Sequence, residues 1–193
     1  MRKTKRTRRA LAAVLSVLLL AAAYVGFLYQ LQIEARFWHW RHGNVCRLGD
    51  FDIPVPKGWL PKYTSPTDLD LIDTQLRPGL NPALHSAIVS FSLTRFAPRD
   101  LTFYRSSMED RFTIDGVSRI VERTFQFEDK TAVCVGGTVL QDEIKFPAAG
   151  FIGLDCMTTA NIHLMFVGQE SNLDEFYRIA SQIRTHGTAT VSH

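Results

Sequence analysis

The residues best suited to chemistry in this chain are three cysteines and a close pair of histidines. His39, His42 and Cys46 follow one another at offsets of three and four, so a helix continuing through them would place two imidazoles and a thiol on one face. Imidazole nitrogen and thiolate sulfur are ligands that zinc and copper accept, which makes this trio the candidate metal site. Gly43 and Asn44 interrupt the helical pattern between them, and no fourth ligand stands nearby. The same residues also outline a thiol- or metal-dependent enzyme or redox protein, with Cys46 as nucleophile and His39 or His42 beside it.

Cys134 and Cys156 suggest a different use. Both fall in segments that alternate like strands, and a hairpin centred on Lys145 would set them directly opposite each other. Opposed antiparallel residues lie within the Cα range a disulfide accepts, and closing that loop would contribute roughly 3 kcal/mol. Cys46 is then left over, unless the register slips and it pairs with one of the others. A leftover thiol is a reactive group, a crosslink or a small buried hydrophobe. Elsewhere, His85 precedes a strand and His163 sits within one. No nucleophile elbow, phosphate loop, dinucleotide glycine set, H-E-x-x-H or C-x-x-C occurs. The expectation is a non-catalytic protein without a cofactor.

The charge distribution separates an N-terminal segment from the rest. Six of the 22 Lys and Arg residues lie in the first nine positions, and the first acid is Glu34. From there on 16 basic residues face 19 acidic ones, so the overall charge of +3 belongs to the tail and does not describe a phosphate-binding surface. A nucleic-acid partner is not expected. Between residues 10 and 33 there is no charged side chain, and Leu11 to Leu31 is apolar except for Ser16, Gly26 and Gln30. At about 1.5 Å per residue that run crosses roughly 30 Å of hydrocarbon.

The expected organisation is a basic cytoplasmic tail (1–9), a transmembrane signal-anchor helix (10–33), a juxtamembrane aromatic segment (34–45), one domain (46–187) and a disordered tail (188–193). The basic flank stays in the cytoplasm, which puts the domain on the extracytoplasmic, periplasmic side of an inner (plasma) membrane. A cleaved signal peptide with Ala21-Ala22-Ala23 at the cut is the rival reading; against it, apolar residues continue through Tyr24, Val25, Phe27 and Leu28. Trp38 and Trp40 read as interfacial anchors, because indole rings favour the headgroup layer.

Within the domain, Phe51 to Pro56 reads as an edge or terminal strand because its prolines remove ladder donors. Asp68 to Leu76 is a short strand closed by Arg77-Pro78-Gly79, and Ala87 to Phe96 a clearer one. A helix opens at Pro98-Arg99-Asp100, carries Leu101, Tyr104, Met108 and Phe112 on one face, and stops at Gly116. Four strands follow at 119–127, 131–140, 150–159 and 161–167, with tight links at Glu128-Asp129-Lys130 and Thr159-Ala160-Asn161. Gly136-Gly137 marks a bulge or a close backbone approach. A last helix opens at Ser171, with Asp174 in a capping-box position, and runs toward Gly187. The fold class is α+β: an antiparallel sheet of about six to seven strands flanked by two helices, an α/β/α sandwich.

This order, with Pro56-Lys57-Gly58-Trp59 closing the opening strand and a helix from Asn172 to Ile183 at the end, resembles the PsbP/DcrB-like superfamily over about residues 46–185. The resemblance implies a non-catalytic accessory or binding module acting on another protein or a membrane assembly. It maps no catalytic residue. The expected partners are therefore the membrane and a protein, and an immunity-type factor against a protein toxin is one form this could take.

Overall fold

The structure is a computed structural model and describes residues 2–75, 87–97, 101–114, 120–138 and 151–186. Arg77-Pro78-Gly79, His85, Pro98-Arg99-Asp100, Gly116, Lys145, Gly187 and residues 188–193 lie outside the described residues, as does the side chain of Phe112.

Two helices come first. α1 spans Arg2–Leu28 and α2 spans Gln30–His42, with Tyr29 between them and a bend of 71°. No proline sits at the break. The sequence changes character there, from an uninterrupted apolar run to Gln30, Gln32 and Glu34, and α2 turns aside to lie on the domain. The apolar run therefore does not continue as one straight helix to residue 33. Among the described residues no single helix is long and apolar enough to cross a membrane, whereas Val14–Leu28 and Gln30–His42 pass that test as a bent pair, by length and composition only. Gly43, at φ +80°, ends α2, a conformation glycine adopts without the Cβ penalty of other residues.

The hairpin β1 (Val45–Leu48) and β2 (Phe51–Pro54) follows, then β3 (Trp59–Ser65), β4 (Asp68–Asp73) and β5 (Ala87–Leu93). α3 covers Thr102–Ile114. The meander is β6 (Ile120–Phe127), β7 (Lys130–Thr138), β8 (Phe151–Thr158) and β9 (Ile162–Gln169). A 3₁₀ turn at Glu170–Asn172 leads into α4 (Leu173–Ser181), and β10 (Arg184–Thr185) closes the described chain.

Seven strands form an antiparallel sheet in the order β3-β4-β5-β9-β8-β7-β6, and β1-β2-β10 form a second, three-stranded sheet. The second sheet corrects two expectations. β2 is its central strand and no edge, because Pro54 stands at the last ladder position, where Val45 is its partner. The last helix ends at Ser181, well short of Gly187, because Arg184 and Thr185 pair with Asp52 and Phe51 of β2. Its start differs too. Asn172 precedes it without capping it, and its amide instead donates to the buried carboxylate of Asp73 at 3.4 Å.

Strand alternation sorts the meander onto two layers. Ala132, Cys134, Leu154, Cys156, Leu164 and Phe166 face α4 and the small sheet in one large core. Val133 and Val135 face the other way, against Leu101 and Met108 at α3, with Tyr104 and Met157 half-buried beside them. The chain is thus a small α/β sandwich with α3 and α4 on opposite faces. α4 presents Phe176, Ile179 and Ala180 to the core, and the Phe176 ring lies 5.2 Å from that of Phe166. Burying a side chain of this size contributes about 2–3 kcal/mol.

Gly136 pairs with Leu154 in unbroken register, so the glycines mark a close approach and no bulge. A Cβ there would stand 1.9 Å from the carbonyl oxygen of Gly153, which only a backbone shift could relieve.

Candidate functional site

The register of β7 and β8 sets Cys134 opposite Cys156, and the two form a disulfide with S–S 2.02 Å. Both are fully buried on the α4 side, so the bond crosslinks the sheet inside its dry layer. This is a structural crosslink. It leaves Cys46 as the free cysteine.

Cys46 does not join the histidines. Gly43 turns the chain out of α2, and β1 carries Cys46 inward across from Ile53, whose carbonyl oxygen accepts from Sγ at 3.7 Å. The thiol is 6% exposed, and burial pushes its pKa up from 9.0 to about 12. Burial disfavours the thiolate, the form that attacks or binds metal. His39 is committed elsewhere: Nε2 donates to the carbonyl oxygen of Trp59 at 3.1 Å, and Nδ1 lies 2.9 Å from the carbonyl oxygen of Gly43. The ring of His42 stacks on Trp38, centroids 5.2 Å apart. Among the described residues no group of three or more His, Cys, Asp and Glu side chains is placed to hold a metal ion.

The two tryptophans of α2 separate as well. Trp38 is half-buried and packs against the main core, beside wholly buried Ala35, whose small side chain lets α2 approach β3 closely. Its ring packs on the domain. Trp40, 80% exposed, stays outside that core, and with Ile33 and Phe37 it forms an apolar ridge at offsets of four and three.

Between α2 and the domain lies an open groove of about 960 Å³. Its floor is the turn Pro56-Lys57-Gly58-Trp59, in which Trp59 N–H donates to the carbonyl oxygen of Pro56 at 3.0 Å. Gly58 has φ +86°, the value a type II turn requires at its third residue. Thr74 pins this turn from β4's end, donating its N–H at 2.8 Å and its hydroxyl at 2.6 Å to the carbonyl oxygen of Gly58. Sequence reading identified the Pro-x-x-Trp turn as a strand terminus; that it faces a helix across an open space depends on the bend at Tyr29.

A second cluster went unnoticed in the sequence. Asp155 of β8 accepts from the Tyr104 hydroxyl at 2.7 Å and from His163 Nε2 at 2.5 Å, on the α3 side of the sheet. Ser92 stands opposite His163 in the β5–β9 register, but its hydroxyl bonds to the Asp68 carboxylate, which together with Ser65 and Thr67 holds that carboxyl below its usual range. The hydroxyl across from the imidazole is thus engaged elsewhere, and the arrangement ties α3 to the sheet. The signal available was the hairpin at Ala160, which puts Asp155 and His163 on the same face of adjacent strands.

No protein-family model and no curated protein sequence matches this chain. Among solved structures it is similar to a mutant of the protein Mog1, with a TM-score of 0.44 and 10% identity, over 75% of this chain and 96% of that one. No residue role is carried across from it.

Proposed function

We propose that the chain is a single-pass membrane protein: α1 anchors it, its basic N-terminus stays in the cytoplasm, and the α/β sandwich is an extracytoplasmic binding or accessory module acting on another protein or membrane assembly. The observation that carries this reading is the surface of α1. Val14, Leu18, Leu20 and Phe27 are 58–71% exposed and point to different sides of the helix, an apolar surface all round that leaves water only by entering lipid or another protein. The resemblance to PsbP/DcrB-like domains supports the accessory role, and the engagement of Cys46, His39 and Ser92 in structural contacts supports a non-catalytic one.

Alkaline carbonate should leave the full chain in the membrane pellet, and external protease added to spheroplasts should remove the domain. Extraction into the supernatant, or a mature N-terminus beginning near Tyr24, would overturn the anchor. The thiol-enzyme alternative has its own test: Cys46 should resist a maleimide at pH 8 in the folded chain and react within minutes in denaturant. Rapid native labelling would restore that alternative.

A further inference from the structure

We propose that the groove between α2 and the Pro56–Trp59 turn binds the phosphate headgroup of an anionic phospholipid drawn from the leaflet in which α1 ends. This rests on the anchor reading above. Its first support is charge. Arg36 and Lys57 reach the groove from its two sides, and among the described residues no Asp or Glu lines it and neither cation makes an ion pair. Asp73, next to Thr74, turns inward, where it accepts from the Gln75 N–H at 3.0 Å and from Asn172. A concavity lined, among the described residues, by two cations and no acid is unexpected on a domain whose acids outnumber its bases.

The second support is the wall. Tyr29, Ile33 and Trp40 line the groove on the α2 side, with Ile33 55% and Trp40 80% exposed. Tyr29 is the break itself, so this wall continues directly into the apolar surface of α1. A free phosphate would use the cations and leave the wall wet, whereas a lipid uses both, its acyl chains following α1. The third support is orientation. A helix turned 71° from a spanning helix runs close to the membrane plane, which brings the groove to headgroup depth, where Lys and Arg meet phosphates. The amides of Gln32, Asn44 and Gln75 line the same space and can donate to phosphate oxygens without adding charge. Its volume falls in the range of small-molecule sites.

The test uses the full chain, delipidated in detergent and then given phosphatidylglycerol or phosphatidylcholine, with bound lipid read by native mass spectrometry. The wild type should retain phosphatidylglycerol over phosphatidylcholine. K57Q, an exposed change far in sequence from the anchor, should lower retention about fivefold, the weight of one basic side chain at an anionic surface. K57R should restore it, and R95Q, an exposed cation away from the groove, should leave it unchanged. The proposal is overturned if K57Q matches the wild type, if R95Q loses as much, if both lipids are retained equally, or if inorganic phosphate binds as tightly as the lipid. Carbonate extraction run in parallel separates the two readings. A wild type that stays in the pellet but retains no anionic lipid refutes the groove and keeps the anchor, and a wild type that is extracted refutes the anchor.

Discussion

α4 and α2 both lie against the domain, but they are held by different means. α4 buries Phe176, Ile179 and Ala180 completely, stacks Phe176 near Phe166, and covers the layer that contains the Cys134–Cys156 disulfide. α2 buries Ala35 alone completely, half-buries Trp38, and fastens His39 to the carbonyl oxygen of Trp59, leaving a groove beside the contact. Where packing is continuous there is no room for a ligand. Where a helix is attached by a small residue and one directional bond, space and unpaired charge remain.

Substitutions should reproduce that contrast. Phe176→Ala is expected to cost about 3–5 kcal/mol in chemical denaturation, the range for an aromatic lost from a closed core. Replacing both Cys134 and Cys156 by Ala should cost about 3 kcal/mol by the same measurement, mostly through a freer unfolded chain. Trp38→Ala should cost only about 1–2 kcal/mol, in line with its half-burial. A Trp38 loss equal to that at Phe176 would erase the distinction between the two contacts.

The smallest effect concerns the β2–β10 pairing. His186, hydrogen-bonded to Asp52, and Arg47 beside it hold the Asp52 carboxyl below its usual value of 3.8. A depressed carboxyl contributes stability above its unfolded pKa and loses it as pH falls through the folded one. Protection factors for amide exchange in β10, corrected for the intrinsic rate at each pH, should therefore fall below about pH 4 while those in β8 and β9 stay unchanged. The carboxylate is largely exposed, so the change should be local.

Much of the sheet was legible because its signals are local. Tight links at Glu128-Asp129 and Ala160 fix the meander, and once β7 and β8 share a hairpin, the Cys134–Cys156 pairing follows from register alone. β3 escaped notice because Pro61, Lys62 and Thr64 conceal its alternation, and it exists because β4 offers it a partner. β1 and β10 are short, and β10 forms only against β2, more than 130 residues away in sequence. The groove was invisible for a similar reason. Lys57 and Arg36 are ordinary residues until a bend at Tyr29, unmarked by proline, brings their segments face to face. Cys46 could not be placed because a helix and a strand through residue 46 give it opposite surroundings, and Gly43 decides between them.

The single residue between α1 and α2 also limits where the domain can act. A flexible tether of twenty residues would let a domain sweep a hemisphere roughly 25 Å in radius and meet targets at many heights. Here Tyr29 alone separates two helices, and the second is already seated on the sheet. Whatever holds α1 therefore keeps the sandwich within a short reach of its end. With α1 anchored as proposed, a partner embedded in the same membrane would meet the domain at a high effective concentration, and one free in solution at a low one.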